Sequence, residues 1–421
     1  MKSPPPFSAP VLALAWALGF SLANAPAPAW AQPETSPPQN ARRTIDPGAP
    51  PRPLSGVSGP WGQIVLRERI IEPPGSYYVD YLRERRWSGG TVWRLPGTVE
   101  EARDTLRRAG LPVRTIDMLT SFPQMSETEG ACHIVPPSET LLTLQPRQRL
   151  LLYPHVGESH ANDPFLNPYV LLAGGIPRMT RRPHGIAPAR LALIEQLSYG
   201  APGAARLFSD LRFVLERAQD DGERMAILKF LCREIALEAF LELPEDREDP
   251  EARQSLLDYW NPGGRNASGA ALLAAAWDNP RIRRLDLVHL LPPEPRKRLN
   301  SYATIEASLA HAAPDCFSTA FSFFSDHSPT RFLETITPAL NERYERAEAP
   351  WQFGDLVVLV SREGRWLHAC NHVAGELVFT KNGHSLGRPW VLQSLDEVLS
   401  AYLGDESLSV YFYRLKPAYR E

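Results

Sequence analysis

Lysine is scarce in this chain of 421 residues. Only Lys2, Lys229, Lys297, Lys381 and Lys416 stand among its 45 basic side chains, and the rest are arginine. The bias reads first as the composition of a GC-rich bacterial genome. Cysteine is scarce too. Cys132, Cys232, Cys316 and Cys370 have none of the close spacings of a small disulfide framework. An exported chain could pair them as two disulfides, but a cysteine acting as nucleophile would leave at least one other unpaired. A surplus of either charge is missing. The formal net charge is −3, which excludes the dominant basic field of a dedicated nucleic-acid binder. No fixed-period repeat is visible. Gly174-Gly175 and Gly263-Gly264 are bare pairs without the strand, lysine or helix that a phosphate loop needs. Past the N-terminus no apolar run reaches the ~18 residues of a transmembrane helix, so no membrane span is expected once a leader is removed.

Proline is abundant, at 42 residues, and helps to exclude a long coiled coil. The N-terminus has a targeting pattern. Lys2 precedes the apolar run VLALAWALGFSL (11–22) and two small-residue sites, Ala23-Asn24-Ala25 before Pro26 and Ala29-Trp30-Ala31 before Gln32. The second suits cleavage better, because proline after the first disfavours it. The expectation is a signal peptide over 1–31, a periplasmic or secreted bacterial protein, and a Pro-rich linker over 32–59. A helix-rich α+β domain of unknown role follows over 60–298, then a second α+β domain with an antiparallel sheet over 299–421.

Within the first domain, strands are expected at Gln63–Ile71 and Thr91–Leu95. Thr98 and Glu101 form a capping box for a helix that stops at Gly110. Residues 112–125 read as strand and turn, and 138–153 as helix broken near Pro146. Helices are expected at 187–197, 207–218, 222–243, 250–260 and 269–277, with Cys232 as core filler. In the second domain, helices over 302–312 and 316–324 precede strands at 355–360, 366–373 and 376–380. A helix at 395–403 and a strand at 408–414 complete the unit.

The segment PDCFSTAFSFF carries the chemistry. Pro314 ends one helix, Asp315 caps the next, and Cys316 falls in its first turn. Free N–H groups there can stabilise a thiolate or an oxyanion. The base must come from elsewhere. His368 and His372 share the predicted strand RWLHACNHV, and Asn382 follows on the next strand as the group to orient the ring. His384 competes with them. His368, Cys370 and His372 alternate along that strand and could together face a metal ion. No second ligand cluster accompanies them, so no metal and no cofactor are expected.

The order Asp315-Cys316, then Gly354-Asp355-Leu356-Val357, then a strand-opening His368 resembles the NlpC-type (papain-like) cysteine peptidases and amidases, over roughly 300–415. That resemblance implies a papain-like fold and cleavage of an amide bond through a Cys-His site, on a peptide or peptidoglycan-like substrate of the cell envelope. Here Phe317-Ser318 replaces the family's Ser-Gly. The family's third residue, about twelve positions past the base, falls on Thr380, and Tyr302 is the candidate for its upstream tyrosine. The competing expectation is a non-catalytic envelope interaction module on the same fold.

Overall fold

The computed structural model describes residues 57–85, 88–122, 124–128, 130–156, 164–200, 206–304, 314–324, 333–362, 364–383, 385–402 and 408–419. The expected signal peptide, most of the expected linker and His384 lie outside them. Among the described residues the strands, numbered along the chain, are β1 (Val57–Gly59), β2 (Gly62–Ile71), β3 (Trp93–Pro96), β4 (Met125–Thr128), β5 (Ala131–Ile134), β6 (Tyr169–Val170), β7 (Leu207–Phe208), β8 (Glu234–Glu242), β9 (Arg284–Asp286), β10 (Tyr344–Arg346), β11 (Leu356–Val360), β12 (Trp366–Ala374), β13 (Leu377–Lys381), β14 (Trp390–Ser394) and β15 (Ser409–Leu415). All the sheets are antiparallel and helices surround them, so the chain is α+β. The two larger sheets run β1-β2-β8-β9 and β10-β15-β11-β12-β13-β14.

Several helices begin where local chemistry places them. Val99–Arg108 opens on the Thr98/Glu101 capping box, and Pro250–Trp260 on Asp249, whose side chain accepts from Glu251 and Ala252 N–H. Residues 138–152 split at Pro146, which starts the second of two short helices. Other expectations give way. Residues 112–125 hold a helix, Val113–Leu119, which buries Ile116 and Leu119 three positions apart. The helix expected over 207–218 is β7 followed by Leu211–Leu215. The one expected over 222–243 ends at Leu231, and β8 follows. The sequence EIALEAFLE is rich in helix formers, but Ile235, Leu237, Ala239 and Leu241 also alternate. Pairing with β2 from Gln63↔Glu242 to Ile71↔Glu234 overrides intrinsic propensity. Val57–Gly59, at the end of the expected linker, forms β1 against β2.

The main core runs across residue 298. It holds Trp93, Tyr153, Phe230 and Trp260 together with Phe353, Val373, Phe379, Trp390 and Leu392. β14 packs against β8, and Gln393 donates to the Ile235 carbonyl and to Glu234. A fully buried ion pair, Arg388–Glu234, joins the same two regions. Arg178 adds a second tie by bonding both Glu68 on β2 and Glu397 in the Leu395–Tyr402 helix.

Two smaller apolar clusters cover the faces of the six-stranded sheet. Cys316, Phe317, Ala320 and Phe321 of the Cys316–Phe321 helix pack on Leu356, Val358 and Ala369. Leu395, Val398, Leu399 and Tyr402 pack with Val357, Leu359, Cys370 and Val378 on the other face.

Candidate active site

Cys316 is the first residue of its helix, as the sequence implies. Asp315 caps it, accepting from Ser318 N–H at 2.7 Å, while Ser318 Oγ accepts from Asp315 N–H at 2.9 Å. The helix spans six residues. Stabilisation of a thiolate therefore rests on individual N–H groups more than on a long macrodipole. The thiol is only 6% exposed. Burial pushes it up to about 12 and the Asp315 carboxylate adds to that, while hydrogen bonds from Ala369 and Phe317 N–H and the charge of Lys381 act in the opposite direction.

His368 is completely buried. Its Nε2 lies 2.9 Å from Thr380 Oγ1, and its ring stacks on Tyr402 with centroids 4.5 Å apart. Burial alone holds its pKa down to about 3. Nδ1 has no hydrogen-bond partner. The strand's alternation decides which way the ring faces. Leu359 pairs with His368 and Val358 with Ala369. Leu359 belongs to the cluster of the Leu395 helix, and Val358 and Ala369 to that of Cys316. Asn371, two residues past Ala369, donates to the Ala320 carbonyl of the Cys316 helix at 3.0 Å. His368 and Cys316 thus approach the sheet from opposite faces, and no hydrogen bond joins them. A bulge between Leu359 and Val360 shifts the register of β12 just before His368.

Near this point β12 and β13 are joined differently from the rest of their ladder. Their pairs run from Asn371↔Phe379 to Ala374↔Leu377, and the His368–Thr380 side-chain bond takes over beyond them. Tyr402 stacks on His368 from the face opposite Cys316, and its phenol is raised well above the ordinary value by burial first, with the charge of a Cys316 thiolate adding to that.

Asn382, expected to orient the imidazole, stands one step back. It accepts from Thr380 Oγ1 at 3.3 Å and donates to Gln393 Oε1 at 2.9 Å. The group on the ring is Thr380, the residue reached by counting twelve from His368. His372 is occupied otherwise, with Nδ1 and Nε2 each 3.0 Å from a carbonyl oxygen, those of Gln352 and Gly375. Tyr302 packs edge-on against Tyr77. None of the four cysteines is in a disulfide. Among the described residues no group of three or more His, Cys, Asp or Glu side chains is placed to hold a metal ion, and no helix is long and apolar enough to cross a membrane.

Sequence reasoning also missed Lys381. It is fully buried, and its Nζ donates to the carbonyls of Gly383 and Ser385, both at 2.9 Å. Burial brings its pKa down to about 7, with Cys316 and Asp315 pulling it back up. A lysine at an alternating strand position in an arginine-rich chain was the available signal. Tyr402 had none, because only long-range packing brings it to the site.

No family model matches the chain, and neither a curated protein nor a solved structure does.

Proposed function

We propose that this chain is a cysteine hydrolase of papain-like type that cleaves an amide bond in a peptide or peptidoglycan-like substrate of the bacterial envelope. The observation that carries the reading is the state of His368. A buried imidazole has one nitrogen anchored on Thr380 and the other without a partner. An unsatisfied buried nitrogen costs stability and calls for a reason. A base that must receive a proton supplies one, and the anchored Nε2 fixes the tautomer and the ring's orientation. Cys316 Sγ attacks the substrate carbonyl and an S–C bond forms. The C–N bond then breaks as the leaving amine takes a proton, leaving a thioester. Water, giving its proton to the site, releases the acid and restores the thiol. His368 exchanges protons with thiol, amine and water through Nδ1. Exchange with the thiol requires β12 to rearrange at its bulge, because His368 and Cys316 stand on opposite faces of the sheet in the substrate-free structure.

A second reading has its own observation. The thiol is closed in and held near 12 while His368 is held near 3, so the resting pair is neutral. A papain-like fold retained as a non-catalytic interaction module fits that resting state. Purified protein incubated with peptidoglycan stem peptides and simple amides separates the two. Release of amine by the wild type and none by Cys316→Ala is expected. Equal inertness of both, with Cys316 alkylated no faster than a free thiol, would leave the module as the account.

A further inference from the structure

Lys381 is a buried titratable group that the papain-like scheme does not use. It lies on the Cys316 side of the six-stranded sheet. Phe379, two residues earlier and so on the same face, packs on Phe323 just past the Cys316 helix, with ring centroids 5.9 Å apart. Trp390, the cross-strand partner of Lys381, donates from its indole to Thr319 Oγ1 of that helix at 3.0 Å. Lys381 Nζ sits 5.6 Å from the Trp390 ring centre. Other buried cations of the protein sit on carboxylates, among them Arg149 on Asp210, Arg233 on Glu72 and Arg388 on Glu234. Lys381 instead has two carbonyl oxygens. A neutral amine has two N–H groups and one lone pair, so two donated bonds leave it the lone pair to accept a proton.

We propose that Lys381, rather than His368, takes the first proton from Cys316 and then balances the thiolate as an ammonium ion. The inference rests on the hydrolase reading and changes one assignment within it. In the step, the S–H bond of Cys316 breaks, an N–H bond forms on Nζ, and the pair stays net neutral. His368 keeps its part with the leaving amine and the water, and Lys381 is the base that generates the nucleophile. The surrounding charges agree. The groups acting on Lys381 are Cys316 and Asp315 from the helix, Glu234 from β8 and Arg388 from the loop before β14, and Glu234 and Arg388 offset one another as an ion pair. A proton leaving the thiol finds a much better acceptor in an amine held at about 7 than in an imidazole held at about 3.

The test is the pH dependence of iodoacetamide alkylation at Cys316, followed by mass spectrometry of its peptide, in wild type, Lys381→Met, Lys381→Arg and His368→Ala. Lys381→Met is expected to raise the inflection by at least one pH unit and slow labelling at pH 7.5 about tenfold. Lys381→Arg should restore fast labelling through its fixed charge, and His368→Ala should leave the inflection in place. A profile moved by His368→Ala and untouched by Lys381→Met overturns the proposal while the hydrolase reading stands. If wild-type Cys316 labels no faster than a free thiol at any pH, the hydrolase reading falls and takes the proposal with it. Should Lys381→Met lose its native circular dichroism, Lys381→Arg decides: slow labelling of folded Lys381→Arg overturns the proposal.

Discussion

Two regions of this protein bury polar groups equally deeply and treat them differently. Between residues 57 and 299, the buried arginines rest on carboxylates: Arg149 on Asp210, Arg178 on Glu68 and Glu397, Arg233 on Glu72. Around Cys316 two buried titratable groups have no counter-charge bonded to them: His368 has Thr380 at one nitrogen, and Lys381 has two carbonyls. Paired burial fixes a fold, because removing either partner leaves a charge stranded. Burial without counter-charges moves pKa values instead, and that is the usual setting of acid–base chemistry.

The contrast can be broken most strongly at the nucleophile. Cys316→Ala should abolish amide hydrolysis, assayed as amine release, while its thermal midpoint stays close to wild type. One sulfur at the first turn of a six-residue helix is a small loss of buried apolar surface. A midpoint drop as large as that of a broken ion pair would place Cys316 among the structural residues. The paired region should answer in the opposite way. Glu234→Leu strands Arg388 in the interior and should cost about 3–5 kcal/mol in urea unfolding. Loss below ~1 kcal/mol would show that the pair is not as closed to water as its burial indicates.

His368 gives a third, pH-resolved test. Its folded value, about 3, lies below the ordinary 6.5, so the unfolded chain binds the proton first. Stability should therefore be lost as pH falls from about 6.5 and level off below about 3, the histidine contributing about 3 kcal/mol of that loss at pH 4. His368→Leu removes this contribution, so its stability should decline less steeply over that range. Parallel curves would mean that the ring is not held neutral. The smallest effect is expected at Thr380. Thr380→Ala frees Nε2 and should lower kcat by less than His368→Ala does, because an orienting hydroxyl biases the ring without carrying the proton. Thr380→Ser should recover most of the rate, and equal losses for Ala and Ser would assign the residue to packing alone.

What the sequence disclosed follows from how local each cause is. Caps are local, so Thr98 with Glu101 and Asp315 before Cys316 were readable. The short strand runs of β11, β12 and β13 and the alternation of β15 were readable for the same reason. β8 was not, because its helix-forming residues become a strand only through β2, more than 160 positions earlier. β14 was not, because Trp390–Ser394 is a short apolar stretch that β13 and β8 turn into a strand. At the site, His368 could be chosen by order along the chain. Its direction could not, since the bulge at Leu359/Val360 sets the register of that part of the strand. Thr380 was reachable by counting, whereas Asn382, chosen for its chemistry, lies behind it. Lys381 comes to the Cys316 face through the sheet's lateral order, and Tyr402 comes to His368 through a helix added after β14; no short motif encodes either.

The core that crosses residue 298 has a consequence for portability. Phe379, Trp390 and Leu392 are finished by side chains from the earlier half of the chain, and Arg388 finds its carboxylate on β8. A fragment beginning at residue 299 would carry every residue of the candidate site and still present an apolar wall and a stranded guanidinium to water. The C-terminal segment therefore cannot be moved between proteins as an independent cassette. A change of substrate has to arise within the whole chain, by substitutions around an interior that both halves complete.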